Sequence, residues 1–215
     1  MVASAYADEV AVPTPAILLA AGRGRRFGLP KALVEIDGES LPARAVRTLT
    51  EGGCGPVIVV LGARAEQAAA LLPDLKTGGP LVVVAQDWEE GVSASLRAGL
   101  EAASTLDPPP DAALIHLVDL PDIGPEVVTR ILAARTPASS APRALARAAF
   151  HGVPGHPVLL GSDHWQDVID TVHGDRGAGP WLRARDDVES IECGDLATGI
   201  DVDTPDALRR RGLIT

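Results

Sequence analysis

Aromatic side chains are scarce in this chain of 215 residues, where Phe, Trp and Tyr together make up only 3%. A core built around large rings is therefore excluded, although 46% of the residues are hydrophobic. The core must be aliphatic, and a chain of this length and composition can bury enough surface to fold as one domain.

Cysteine is equally rare, since only Cys54 and Cys193 occur, far apart and without a Cys-x-x-Cys spacing. This usage indicates free thiols in a reducing compartment, and it argues against a disulfide framework or a cysteine zinc site. The histidines His151, His164 and His173 also lack metal-ligand spacing, so we expect no zinc.

Basic residues are outnumbered, because 19 Lys and Arg stand against 29 Asp and Glu and give a formal net charge of −10. Without a broad basic face to displace counterions, no nucleic-acid partner is expected. No apolar run approaches the ~20 residues that span a bilayer, and residues 1–12 lack the pattern of a signal peptide. We therefore expect a cytoplasmic protein without a membrane partner, made of a flexible tail (residues 1–13) and one domain (residues 14–215).

The chain does contain short apolar runs that alternate with alanine-rich helical patterns. The runs predict buried parallel strands at 16–21, 57–61, 81–85 and 113–118. The patterns predict helices at 42–51, 65–72, 93–105 and 125–134. This order predicts an α/β fold with a single doubly wound, mostly parallel sheet, whose ligands bind beyond the carboxyl ends of the strands. Extended segments at 144–150 and 157–160 predict a small β insertion over the site. A last strand is expected around Ile191, followed by a closing helix at 205–211.

The first predicted strand runs into a turn rich in glycine and cations: Gly22, Gly24, Gly28, Arg23, Arg25, Arg26 and Lys31. Glycines let backbone N–H groups approach anionic oxygens and the cations attract those oxygens, so the turn predicts a polyphosphate cradle. A tight turn without a ligand is the alternative, but four cations within nine residues of an acidic chain weigh against it. The spacing matches neither the Walker A loop nor the dinucleotide fingerprint.

The cradle resembles the signature of the sugar-nucleotide-type nucleotidyltransferases: Leu19-Ala20-Ala21-Gly22-x-Gly24-x-Arg26-Phe27-Gly28-x-Pro30-Lys31. Four further segments carry the likeness in the order of that superfamily: 88–100, 116–121, 155–159 and 201–205. The chain is therefore similar to the MobA-like NTP transferase family and, within it, to the molybdenum cofactor cytidylyltransferases. The resemblance implies a Rossmann-like, GT-A-like fold.

The resemblance also implies a reaction, the transfer of CMP from CTP to a phosphorylated acceptor such as molybdopterin with release of pyrophosphate. Mg²⁺ is the implied cofactor with Mn²⁺ as the alternative, and a molybdoenzyme or its maturation factor is a candidate partner. Three alternatives stay open: the guanylyltransferase reaction, a sugar or polyol phosphate as acceptor, and a nucleotide-binding maturation partner without turnover.

Asp119 directly follows an apolar strand, so its carboxylate is expected at the carboxyl end of that strand. From the residues alone, it either caps the next turn or holds Mg²⁺, which prefers oxygen ligands. The resemblance implies the metal role, with Asp203 as a second ligand and Asp201 in support. It also implies that Arg26 stabilises the leaving pyrophosphate and that Lys31 bridges the α-phosphate and the attacking phosphate.

The nucleotide is expected to contact the cradle and the start of the third predicted helix: Leu19, Ala20, Ala21, Gly22, Gly24, Arg26, Lys31, Ser93, Ser95 and Leu96. An Ala-Ala-Gly sequence is similar to the cytidylyl and uridylyl enzymes, whereas the guanylyl enzymes tend to carry Ala-Gly-Gly, so CTP is expected. Ser93 and Ser95 can hydrogen-bond a pyrimidine, although helix capping is an equal alternative for Ser93. The signature does not fix Arg23 and Arg25, which stay open as solvated turn residues.

For the acceptor, the resemblance implies contacts with four residues: Gly155, His156, Pro157 and Asp175. Gly179 stands where the family usually has an arginine, so Arg176 or Arg183 is an alternative holder of the acceptor phosphate. A packed loop residue is the plain alternative for His156, and His116 is expected in the core.

Overall fold

The computed structural model describes residues 13–73, 79–135 and 138–210. Its strands are β1 (Ala16–Leu19), β2 (Glu35–Ile36), β3 (Glu39–Ser40), β4 (Val57–Leu61), β5 (Leu81–Val84), β6 (Ala112–Leu117), β7 (Leu145–Phe150), β8 (Val153–Gly161) and β9 (Glu189–Glu192). Seven of them form one sheet in the order β5-β4-β1-β6-β8-β7-β9, and β2 pairs with β3 in a separate hairpin. The predicted tail lies, apart from Pro13, outside the described residues.

The α-helices of the described residues are α1 (Leu41–Glu51), α2 (Ala65–Ala69), α3 (Val92–Ser104), α4 (Pro125–Leu132), α5 (Trp165–Thr171), α6 (Gly179–Arg183) and α7 (Pro205–Arg210). Helix α1 begins after Ser40, whose Oγ accepts a hydrogen bond from the Ala43 N–H at 3.2 Å. Helix α3 lies close to the sheet because it carries Gly99, where a Cβ would be 2.4 Å from Ile17 Cγ2. None of these helices is long and apolar enough to cross a membrane.

The first half of the sheet is parallel, with β5, β4, β1 and β6 side by side. Ile17 in β1 aligns with Ile58 in β4 and Ile115 in β6, so an aliphatic row crosses the three strands. One face packs under α1 and α4, and the other packs under α3, α5 and α6. Because both faces are covered, these strands appear in the sequence as unbroken apolar runs.

The predicted β insertion belongs to the main sheet. Strand β8 is antiparallel to β6, with Val158 opposite Ile115, and also antiparallel to β7, with Val158 opposite Arg147. Strand β9 pairs parallel with β7. The mostly parallel sheet is confirmed, but the β7–β8 hairpin extends the sheet beside β6 and does not form a ribbon over the site.

Some elements differ from the sequence prediction. Helix α2 ends at Ala69 rather than at residue 72, and β2, β3, α5 and α6 were not predicted. Strands of two residues show no alternation, and helices of at most two turns show no clear period, so neither leaves a pattern to detect. Cys54 and Cys193 are free, as expected, and both are buried, which raises the pKa of the Cys54 thiol to about 12.

Candidate active site

A cavity of about 490 Å³ opens where β1 and β6 end, at the carboxyl edge of the parallel strands. The glycine-rich loop after β1, the segment that leads into α3, and the residues Asp119, Asp201 and Asp203 line it. The two strand ends are neighbours because Leu19 aligns with Leu117. Ligands of doubly wound sheets bind at such an edge.

The glycine-rich loop is a turn closed by its own backbone. The N–H groups of Phe27 and Gly28 donate to the Gly24 carbonyl at 3.0 and 2.9 Å. Gly24 has a φ of +63°, and a Cβ there would lie 1.9 Å from the Leu29 carbonyl oxygen. The loop conformation therefore requires glycine at this position.

Lys31 is the charged centre of the site. Its Nζ donates to Asp119 Oδ2 at 2.7 Å and to Asp203 Oδ1 at 2.6 Å, and the side chain is 16% exposed. Burial lowers the pKa of Lys31, but the charges and hydrogen bonds of Asp119 and Asp203 outweigh burial and raise the pKa above its usual value. Lys31 therefore carries a positive charge at neutral pH and joins two segments that are far apart in the sequence.

Arg26 brings a second cation to Asp203, with its Nη1 lying 2.7 Å from Asp203 Oδ2. The two cations differ in exposure, since the Arg26 side chain is 75% exposed and that of Lys31 only 16%. Arg26 therefore meets Asp203 from the solvent-exposed side of the cavity, whereas Lys31 is largely enclosed.

Three carboxylates lie beside Lys31, because Asp119, Asp201 and Asp203 each offer an oxygen within 4.8 Å of the other two. The Val202 N–H donates to the Asp119 carbonyl at 2.9 Å, and this bond joins the two segments that carry the carboxylates. Val202 is fully buried. Since side chains alternate along an extended segment, burial of Val202 turns Asp201 and Asp203 to the opposite, open side.

Two of the carboxylates have shifted pKa values, in opposite directions. Burial raises the pKa of Asp201, and the charges of Asp203 and Asp119 raise it further. Burial also raises the pKa of Asp203, but the hydrogen bond and charge of Lys31, together with Arg26, outweigh it and lower the pKa below its usual value. Asp203 is therefore the carboxylate that the two cations neutralise.

The carboxylate cluster fits a hard divalent cation. Oδ1 of Asp119 is buried and has no hydrogen-bond partner among the described residues. Mg²⁺ and Mn²⁺ prefer oxygen ligands, and Mg²⁺ typically binds one or two carboxylates together with substrate phosphates. Within the described ranges, no other group of three His, Cys, Asp or Glu lies close enough to hold a metal.

Most of the predicted site residues line the cavity: Leu19, Ala20, Ala21, Gly22, Gly24, Arg26, Lys31, Ser95, Asp119, Asp175, Asp201 and Asp203. The others do not line it: Ser93, Leu96, Gly155, His156 and Pro157. Ser93 and Leu96 are 0% and 2% exposed and pack in the interior. Ser93 does not cap α3, which begins after Gly91 without a side-chain cap. A contact of Ser93 or Leu96 with the nucleotide stays a prediction.

Trp88 and Glu89 also line the cavity, although sequence reasoning did not assign them to the site. Arg23 contacts both, because its guanidinium lies 4.9 Å from the Trp88 ring centroid and its Nη2 lies 2.7 Å from Glu89 Oε1. Arg23 therefore joins the glycine-rich loop to the opposite wall. The signal that could have revealed this wall is a tryptophan in so aromatic-poor a chain.

Two histidines near the sheet edge are neutral. His116 is buried in β6, as expected of a core residue, and burial lowers its pKa to about 3. His156 in β8 is half-buried, and burial lowers its pKa to about 4. The negative charge of Asp119 opposes the shift and the positive charge of Arg147 adds to it, so both lie within electrostatic reach of His156.

Known proteins share this sequence pattern. The sequence model of the MobA-like NTP transferase domain matches residues 16–188. Nicotine blue oxidoreductase from Paenarthrobacter nicotinovorans is 38% identical over 205 residues, which cover 90% of this chain and 94% of that protein. A probable molybdenum cofactor guanylyltransferase from Opitutus terrae is 38% identical over 86 residues, or 40% of this chain and 37% of that protein.

Solved structures share the fold. Rv0371c from Mycobacterium tuberculosis H37Rv superposes with a TM-score of 0.76 at 27% identity, over 93% of this chain and 97% of that chain. A complex of Rv0371c with manganese superposes with a TM-score of 0.72 at 23% identity, over 94% and 98%. Because the domain match covers residues 16–188, most of the sequence, the chain belongs to the MobA-like NTP transferase family.

Proposed function

We propose that this protein is a metal-dependent nucleotidyltransferase that transfers CMP from CTP to molybdopterin, with release of pyrophosphate. The observation that carries the proposal is the ion cluster at the base of the cavity, where Lys31 lies 2.7 Å from Asp119 and 2.6 Å from Asp203. A glycine-rich loop with cations beside this cluster suits a triphosphate. The net charge of −10 supports small molecules rather than nucleic acid as partners.

The reaction needs positioning and neutralisation of charge, since the acceptor phosphate itself attacks the α-phosphorus and no protein nucleophile is required. Arg26, exposed at the cavity mouth, would bind the β- and γ-phosphates and stabilise pyrophosphate as it leaves. Lys31, held by its two carboxylates, would orient the α-phosphate and the attacking phosphate. Both donors act where negative charge develops, which is where preorganised donors have their largest effect.

Asp119 and Asp203, supported by Asp201, would hold the divalent cation. When bound, the cation supplies a positive charge that neutralises phosphate oxygens. Asp119 is the principal ligand in this proposal because its buried Oδ1 has no other partner among the described residues. We propose Mg²⁺, and the manganese complex of Rv0371c supports Mn²⁺ as the alternative.

The choice of CTP rests on the end of β1 and the loop after it. Ala20 and Ala21 line the cavity beside Ser95, and the Ala-Ala-Gly sequence is similar to cytidylyl and uridylyl enzymes. The guanylyltransferase relative from Opitutus terrae keeps GTP as the alternative nucleotide.

A panel of nucleotides and acceptors tests the proposal. The purified protein is incubated with Mg²⁺, one of the four NTPs, and molybdopterin, a sugar phosphate or a polyol phosphate, and pyrophosphate release is followed. We expect the fastest release with CTP and molybdopterin, together with a product whose mass has grown by one CMP unit. Faster release with GTP would favour the guanylyl reaction. Binding of CTP without any release would favour a maturation partner that has no turnover.

Oxidoreduction is a second candidate function, because the relative that covers 90% of this chain is named nicotine blue oxidoreductase. Under this candidate, the glycine-rich loop would hold the phosphates of a redox dinucleotide instead of a triphosphate. The test is oxidation of NADH or NADPH by the protein in the presence of nicotine blue and the absence of any NTP. Such oxidation without pyrophosphate release in the panel would replace the first proposal with the second.

A further inference from the structure

Arg147 in β7 is a half-buried cation without a partner among the residues that the structure describes. Its Nε is buried, and its guanidinium forms no hydrogen bond or ion pair with any residue of the described ranges. Other half-exposed arginines of the same molecule are paired, for example Arg97 with Glu90 at 3.0 Å and Arg185 with Asp187 at 2.7 Å. Since buried donors are normally hydrogen-bonded, an exception of this kind needs an explanation, and a bound ligand is one.

The sheet register locates Arg147 on the face that packs under α3, α5 and α6. Arg147 lies opposite Val158 in β8 and two residues after Leu145, and both of these side chains belong to the core of that face. His156 stands two residues before Val158 and lies within electrostatic reach of Arg147. The register between β7 and β8 shifts between Arg147 and Ala149, so the two side chains lie on adjacent strands at this irregularity and are not directly paired across the strands.

His156 links this pair to the ion cluster. It lies within electrostatic reach of Asp119, and its strand runs beside β6, whose last residue Leu117 lines the cavity. The glycine-rich loop follows β1, which pairs with the other edge of β6. Arg147 and the cations of the loop therefore stand on opposite sides of Asp119.

We propose that Arg147, with His156 beside it, binds the phosphate monoester of the acceptor on the β7–β8 side of Asp119. This inference rests on the proposed function and adds the residue that recognises the second substrate. A guanidinium without an internal partner offers a fork of donors that matches a phosphate. Neutral His156 supplies one further hydrogen bond as donor or acceptor.

This assignment also gives the triphosphate of the NTP and the phosphate of the acceptor separate cations. Lys31 and Arg26 are joined to carboxylates beside the loop that suits the triphosphate, whereas Arg147 forms no ion pair with a described residue that a phosphate would have to replace. The arginines considered from the sequence, Arg176 and Arg183, are both exposed on the surface. Arg147 is the half-buried alternative, and its partial burial strengthens a charge-assisted hydrogen bond to a phosphate.

Titration calorimetry with phenyl phosphate tests this inference on the full chain, both free and saturated with Mg²⁺ and a CTP analogue that carries an α,β-methylene bridge. We expect Arg147→Gln to weaken binding of phenyl phosphate about tenfold to a hundredfold, because charge-assisted hydrogen bonds are lost. Arg147→Lys should restore part of the affinity. Arg143→Gln is the matched control, since Arg143 is 84% exposed and only 3.4 Å from Asp163, and it should bind like the unaltered protein.

Steady-state kinetics separate this inference from the proposed function. We expect Arg147→Gln to raise the KM for molybdopterin about tenfold to a hundredfold and to leave the KM for CTP unchanged, a split that a purely structural role would not produce. If CMP transfer occurs and the KM for molybdopterin is unchanged, the inference is wrong and the proposed function stands. If no NTP is turned over, the proposed function fails, and phenyl phosphate binding that depends on Arg147 still supports the anion site. Equal binding of phenyl phosphate by the unaltered protein and Arg147→Gln overturns that site.

Discussion

The cations on the two sides of Asp119 differ in their pairing with carboxylates. On the β1 side, Lys31 and Arg26 are joined to carboxylates at 2.6 to 2.7 Å. On the β7–β8 side, Arg147 has no hydrogen-bond or ion-pair partner within the described part of the chain. The charges of Lys31 and Arg26 are neutralised by carboxylates before a substrate binds, as in a preorganised catalytic centre. The charge of Arg147 is left for a substrate to neutralise, as in a recognition site.

The largest effect is expected on the β1 side of Asp119, called the balanced side here because its cations are paired with carboxylates. Asp119→Asn removes the carboxylate that binds Lys31 and offers the unpartnered oxygen to a metal. We expect kcat for CMP transfer to fall about a thousandfold or more, since neutralisation by a metal is worth several kcal/mol. Asp203→Asn should cost nearly as much, and Asp201→Asn should cost less because Asp201 forms no ion pair with a described residue. A greater loss in Asp201→Asn than in Asp203→Asn would contradict the assignment of ligands.

The next effect tests whether the paired cations act on chemistry rather than on recognition of the base. Lys31→Ala and Arg26→Ala should each lower kcat by about 10²–10³, the usual effect of removing one preorganised donor. The preference among NTPs should not change, and neither variant should unfold. Arg143→Ala is the control, because Arg143 is 84% exposed and does not line the cavity. A near-normal kcat, or a changed choice of base, would exclude the loop as the catalytic element.

A smaller effect is expected on thermal stability when different nucleotides bind. We expect CTP with Mg²⁺ to raise the melting temperature more than GTP, ATP or UTP does. Ligand at ~100 times its Kd adds about 2.7 kcal/mol to the free energy of unfolding. Differential scanning fluorimetry measures this shift, with Arg147→Gln as the control that should respond to CTP like the unaltered protein. A larger shift with GTP would favour the guanylyl reaction.

The smallest effect concerns the core beneath both sides. The pKa of buried His116 is lowered to about 3, so this group binds a proton more readily in the unfolded chain, where its pKa is near 6.5. Its contribution to stability is complete above about pH 6.5 and is lost as the pH falls towards 3, at up to about 1.4 kcal/mol per pH unit. Urea unfolding at pH 7 and pH 5 should show this loss, and His116→Gln should show a shallower dependence. His156, with a pKa of about 4, contributes in the same direction, so part of the dependence should remain.

The balanced side was largely predictable from the sequence. The glycine-rich loop and Lys31 lie within one short motif, and Asp119 follows directly after an apolar strand. Local patterns of this kind indicate a turn, a strand or a phosphate-binding loop without knowledge of the tertiary contacts. The meeting of Lys31 with Asp203 is a tertiary contact between distant segments, so only the family resemblance could indicate it, and no spacing did.

The β7–β8 side of Asp119, which carries Arg147, was not predictable in the same way. Arg147 lies in a strand between apolar residues, and a sequence does not tell which arginine finds a carboxylate once the chain has folded. The direction of β8 was also hidden, because its second half is buried on both faces and therefore has the unbroken apolar run that is typical of a parallel strand. The family resemblance therefore implied acceptor contacts with Gly155, His156, Pro157 and Asp175, and it did not indicate Arg147, one strand away.

Single-turnover transfer from CTP labelled at the α-phosphorus tests the central claim most directly. The claim is that the cluster of Lys31, Asp119 and Asp203 moves a nucleotidyl group. The account predicts that the label passes from CTP to molybdopterin in the unaltered protein and passes at least about a thousandfold more slowly in Asp119→Asn. Label that stays in CTP in the unaltered protein, or that is transferred at the same rate in Asp119→Asn, would contradict it.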